Sequence, residues 1–169
     1  MLRKPVKVIK LAVWVAVTLV VAATFLALLW PRQTRLVLEE PDSGQLYAWF
    51  PVEEGSRFSI TFIHSVNKTP LTDVYEIRQG EIYVTETKYY GFGAGVQTEL
   101  GEGQTLRYDD DGGMIVSGFD QKMTGMIYVV GMVSDHVLDI GGAEYSLTAL
   151  CGKGAAVKFV CKEVKPWQK

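Results

Sequence analysis

The chain has 169 residues, 48% hydrophobic and 21% charged, which excludes a disordered polymer and suits one domain with an appendage. Four of its seventeen basic residues, Arg3, Lys4, Lys7 and Lys10, precede a run from Leu11 to Trp30 that carries no charge. Thirteen basic residues then face all nineteen acidic ones beyond Pro31. A net charge of −6 on that portion argues against nucleic acid as a partner, because a phosphate-binding face must be basic.

Residues 1–10 read as a basic cytoplasmic N-terminus and 11–30 as a transmembrane anchor. Twenty residues at about 1.5 Å each reach about 30 Å, the depth of a bilayer's hydrocarbon core. Thr18 and Thr24 can bond back to the helix, and Trp30 and Pro31 suit the far interface. A cleaved signal peptide is the competing reading. Its apolar core is shorter and ends in a small-x-small site, which Ala27-Leu28-Leu29-Trp30-Pro31 lacks, so an uncleaved anchor is favoured. Basic residues before the helix put the N-terminus in the cytoplasm and the rest outside, in a single-pass arrangement in the cell membrane. Residues 31–35 form a short tether.

Residues 36–169 read as an all-β domain, an antiparallel sandwich or barrel. Segments rich in Val, Ile, Tyr, Phe and Thr predict strands at 35–39, 45–51, 57–65, 72–78, 81–90, 105–108, 114–119, 123–130, 136–140, 144–150 and 156–164. Glycine- and aspartate-bearing turns punctuate them at nearly even spacing. No helical period is convincing after Pro31; a helix around 133–137 is conceivable but not favoured.

The densest polar cluster is 63–76. If strands 57–65 and 72–78 pair about a loop centred near Pro70, opposed residue numbers add to about 140. His64 then faces Glu76, and Ser65 faces Tyr75. The Gln79-Gly80 turn sets Glu76 opposite Tyr83, so His64, Glu76 and Tyr83 share a face. A strand histidine beside a carboxylate is usually structural; a ligand site and a catalytic or metal role are the other readings. A metal would need a third ligand, and His136 is the only other histidine. Adjacent strand residues point to opposite faces, so His64 and Ser65 cannot form a base–nucleophile pair.

Gly91, Gly93 and Gly95 follow a strand as G-x-G-x-G, which is not a dinucleotide fingerprint. Such spacing makes a bulged corner or, less often, a nest of N–H groups for an anion. Asp109-Asp110-Asp111-Gly112-Gly113 fails the EF-hand spacing and reads as a hairpin turn. Asn67-Lys68-Thr69 spells a glycosylation sequon, relevant only in a eukaryote. Cys151 and Cys161 would lie in an oxidising compartment, which suggests a disulfide. A tight turn at 152–154 would instead keep them apart as free, buried thiols. The two outcomes are nearly balanced, with a slight lean to free thiols.

His64-Ser65-Val66, Thr69-Pro70 and Tyr75-Glu76, then Glu86-Thr87 leading into Gly91-Phe92-Gly93-Ala94-Gly95, resemble the prokaryotic domain of unknown function (DUF) family 1850. The likeness spans roughly residues 36–118. Gln97 departs from it, standing where that family often has proline. The resemblance implies a small protein with an N-terminal apolar segment, encoded near tripartite ATP-independent periplasmic (TRAP) transporters of the TAXI class. It implies no catalytic residues.

The leading expectation is accordingly a non-enzymatic accessory module with no cofactor, serving a TRAP membrane subunit or its solute-binding protein. Second comes a small-ligand domain with a polar pocket around His64 and Glu76; a hydrolase is third. Candidate ligand- or partner-binding residues are His64, Ser65, Asn67, Thr69, Tyr75, Glu76, Tyr83, Gly91, Gly93 and Gly95.

Overall fold

Alternation of apolar and polar residues dominates the chain after Arg32, and the strands follow it. A computed structural model describes residues 5–29, 32–91 and 99–165. It separates an N-terminal unit from a β unit covering Gln33–Val164.

The N-terminal unit contains helix α1, Pro5–Leu29. Proline is tolerated in a first turn, where its missing N–H has no intrahelical partner to lose. Ile9–Leu29 makes a 21-residue stretch that is long and apolar enough to cross a membrane. The hydroxyls of Thr18 and Thr24 donate to the carbonyls of Trp14 (2.9 Å) and Val20 (2.8 Å), so neither is left unpaired on this apolar helix. Trp30 and Pro31 lie outside the described residues.

The β unit pairs its strands antiparallel throughout. They are β1 (Gln33–Glu39), β2 (Leu46–Val52), β3 (Arg57–Ile63), β4 (Pro70–Arg78), β5 (Glu81–Tyr89), β6 (Thr105–Tyr108), β7 (Met114–Lys122), β8 (Ile127–Val129), β9 (His136–Ile140), β10 (Ala143–Ser146) and β11 (Ala156–Val164). Four form a sheet in the order β2-β1-β11-β8, and seven form another in the order β10-β9-β3-β4-β5-β7-β6. Leu36, Leu38, Val157 and Phe159 from the smaller sheet pack with Phe58, Ile60, Tyr75, Ile77 and Leu138 from the larger. Phe58 and Phe159 stack across this core at 6.3 Å. The fold is an antiparallel β-sandwich. On the other face of β1, Arg35 lies over the Trp49 ring at 3.9 Å, and Glu39 is held by Lys162 and Lys158.

Two local expectations, a strand reaching residue 150 and no helix after Pro31, are corrected. The strand expected over 144–150 stops at Ser146, and helix α2 follows, Leu147–Cys151. Ser146 caps it by accepting the Ala149 N–H at 2.9 Å, and the Asp135 carboxylate accepts from the Thr148 N–H and hydroxyl. A five-residue helix is too short to show an apolar period. The segment 133–137, where a helix is not favoured by the sequence, is a bend leading into β9.

Candidate functional site

The β3–β4 hairpin closes through a six-residue loop, His64 to Thr69. The His64 N–H donates to the Thr69 carbonyl, and the Lys68 N–H to the His64 carbonyl, both at 2.9 Å. Lys68 takes a left-handed conformation to make the turn, φ 56°. Register therefore runs from Arg57 opposite Glu76 to Ile63 opposite Pro70, so opposed numbers add to 133. This overturns the expected pairing of His64 with Glu76 and of Ser65 with Tyr75. An odd shift moves a strand's residues to the other face. Glu76 lies on the outer face, where Arg78 donates to it at 2.9 Å and holds its carboxyl below the ordinary range. Tyr83 is opposite Glu76, as expected, and its ring lies 5.5 Å from the Arg78 guanidinium.

Tyr75 and His64 instead belong to the inner side. The odd-numbered residues of β4, Leu71, Asp73, Tyr75 and Ile77, face the interior; Leu71, Tyr75 and Ile77 are buried. A β-bulge follows. Val74 pairs Glu86 while Tyr75 pairs Val84, which leaves Thr85 as the extra residue, its hydroxyl donating to the Val74 carbonyl at 3.2 Å. β7 is irregular at the same level, around Gly118. Gly118 has φ +87°, and a Cβ there would come within 2.4 Å of the Gly103 carbonyl oxygen. Paired bulges bend the sheet, and bulges often lie beside functional sites.

That bend adjoins a cavity of about 420 Å³. Apolar walls come from Phe62, Leu71, Val84, Tyr89, Phe119 and Met123. Polar groups are His64 and Gln121 with Asp73, Tyr75 and Thr87. Asp73 is the only carboxylate, and no Lys or Arg lines the cavity among the described residues. Thr87 donates to one Asp73 oxygen, and the Tyr128 hydroxyl to the other at 3.0 Å. Since Tyr128 spends its proton there, the Tyr75 hydroxyl donates to Tyr128, 2.6 Å away. Burial raises the Asp73 carboxyl above the ordinary carboxylate range, against the lowering effect of these hydrogen bonds. Burial and the neighbouring Asp73 charge push both tyrosines up, so they stay protonated.

Behind this group Phe62 stacks on His136 at 5.0 Å, and Tyr128 meets His136 edge-on at 5.8 Å. The Gly131 N–H donates to His136 Nδ1 at 3.2 Å, and desolvation lowers that imidazole's pKa. Both effects favour the neutral ring.

The remaining candidates are scattered. Asn67 Nδ2 donates to the Gly91 carbonyl at 2.9 Å and ties the β3–β4 loop to the end of β5, so two separately marked segments do meet. Ser65 is exposed and Thr69 half-buried. Gly93 and Gly95 lie outside the described residues. Asp109 and Asp111 hold Lys88 at 2.7 and 2.9 Å, and Tyr90 donates to Asp111 at 2.5 Å, which makes this segment a clamped hairpin turn. Cys151 and Cys161 are free, half-buried thiols. Among the described residues no three His, Cys, Asp or Glu side chains gather to hold a metal.

Asp73, Thr87, Phe119, Gln121 and Tyr128 were not marked by their sequence context. The available signal was parity. A carboxylate an even number of residues from Leu71, Tyr75 and Ile77 must sit on the apolar face of its strand.

A family model, described as Domain of unknown function (DUF1850), matches residues 58–147, more than half of the chain. The chain belongs to the DUF1850 family. The matched stretch runs from β3 to the start of α2 and takes in every cavity-lining residue named above. No curated protein and no solved structure matches this DUF1850 chain.

Proposed function

We propose that this DUF1850 protein is a membrane-anchored, non-catalytic receptor domain that binds a small molecule outside the cytoplasm. The observation that carries the reading is the cavity: about 420 Å³, walled by apolar and aromatic side chains, with one half-buried carboxylate. Ligand sites have that size and composition. The lining hydroxyls of Thr87 and Tyr75 are spent within the Asp73 network, so no nucleophile–base pair is offered. The four basic residues before the uncharged run that starts at Leu11 support a cytoplasmic N-terminus, and the length of that run an uncleaved anchor. Methyl NMR on the full chain in lipid nanodiscs tests the reading. Some members of a fragment library should shift the Met123 methyl in the cavity wall while leaving exposed Met132 unmoved. A library in which no compound shifts Met123 at millimolar concentration would overturn it.

A second reading, docking on a protein partner, is favoured by the edge strand β8 and the loop after it. Ile127, Val129, Met132 and Val133 are 51, 62, 69 and 98% exposed there. Such a patch suits an interface. The resemblance suggests a membrane subunit or solute-binding protein of a TAXI-class TRAP importer as the partner. Co-purification that survives Val133→Asp would argue against that surface.

A further inference from the structure

The cavity's charge pattern selects among ligands. Asp73 contributes the one formal charge there, and its two present partners, Thr87 and Tyr128, are neutral hydroxyls. A carboxylate offers about four lone-pair sites, so two acceptor positions remain open beside the cavity. The basic side chains of β4 and β5, Arg78 and Lys88, are committed elsewhere. Lys88 is held by Asp109 and Asp111, and Arg78 by Glu76 and Asp120 on the outer face. The neighbouring imidazole of His136 accepts the Gly131 N–H, which favours its neutral form. The segment 92–98 contains no charged residue in sequence. A half-buried carboxylate with no Lys or Arg among the described lining residues is costly, and beside the imidazole of His64 a cationic ligand would offset that cost.

We propose, on the reading that the cavity is a binding site, that its ligand is a protonated amine with an apolar or aromatic body. The ammonium group donates to Asp73. The body lies against Phe62, Phe119 and Met123, where aromatic faces also attract a cation. The volume of about 420 Å³ suits a molecule of one or two rings, since a cavity of about 150 Å³ already holds benzene. An anionic ligand would bring like charge to Asp73 with no Lys or Arg among the described lining residues to offset it.

Calorimetry on the full chain in phosphatidylcholine nanodiscs, with empty nanodiscs as the blank, tests this with three matched probes: 2-phenylethylamine, 2-phenylethanol and 3-phenylpropionate. The amine should bind at least tenfold more tightly than the alcohol, and the acid should not bind. Asp73→Asn should weaken the amine tenfold or more and leave the alcohol within about twofold. Thr87→Val keeps the charge and removes one of its donors, so the preference for amine should persist or grow in that variant. Equal affinity for amine and alcohol, or a preference lost in Thr87→Val, would overturn the amine assignment and leave the cavity as a binding site. Absence of binding by all three probes, with Met123 unmoved, would overturn both.

Discussion

Asp73 owes its position to strand parity and its charge state to burial and two hydroxyl neighbours. Burial raises its pKa, and hydrogen bonds from Thr87 and Tyr128 lower it, with burial the stronger. The folded value therefore lies above the unfolded one. The resulting contribution to stability is fully present below the unfolded pKa and is lost as pH rises through the folded value. Melting curves between about pH 7 and pH 4 should show the wild type gaining on Asp73→Asn as pH falls. A constant offset across that range would contradict the burial argument. The cysteines give a second residue-scale test. Burial pushes both thiols up to about 11. Alkylation near pH 8 without reductant should label both, on the order of a hundredfold more slowly than in denaturant. An unreactive pair that labels only after reduction would mean a disulfide. Asp73 was missed in the sequence although strand parity was there to mark it, since Leu71, Tyr75 and Ile77 define its face. Its partner Tyr128 was not legible, because 55 residues and a change of sheet separate the two.

At the scale of elements, the short turns were the most legible features. Gln79 and Gly80, with φ of 53° and 73°, join β4 to β5 by a two-residue turn that fixes Glu76 opposite Tyr83. The β3–β4 loop was not legible. Both a loop centred on Pro70 and the observed one keep apolar residues alternating, and nothing about lysine announces a left-handed residue at position 68. That ambiguity carried Glu76 to the wrong face. Helix α2 stayed hidden for another reason: its cap depends on Asp135, eleven residues before Ser146. The bulge beside the cavity has a sharper requirement. Gly118→Ala meets both a left-handed backbone and a carbonyl 2.4 Å away. It should cost about 1–3 kcal/mol in chemical denaturation and disturb the Met123 resonance. An unchanged midpoint would show that the sheet bends there without needing glycine.

For the whole molecule, one apolar helix and one β-sandwich divide the work. The helix is long and apolar enough for a membrane span, visible in sequence as a run without charge; the sandwich supplies a bent sheet with a cavity, which no run of residues announces. The bend depends on the bulges at Thr85 and Gly118, and the cavity's polarity depends on Asp73. Ligand binding in that cavity is the central claim. It is tested most directly by extracting the small molecules that accompany the full chain purified from its own cells, beside a Val84→Phe variant whose larger side chain intrudes on the cavity. The account predicts an amine-bearing compound enriched with the wild type and missing from a folded Val84→Phe protein. Identical extracts from the two would contradict it.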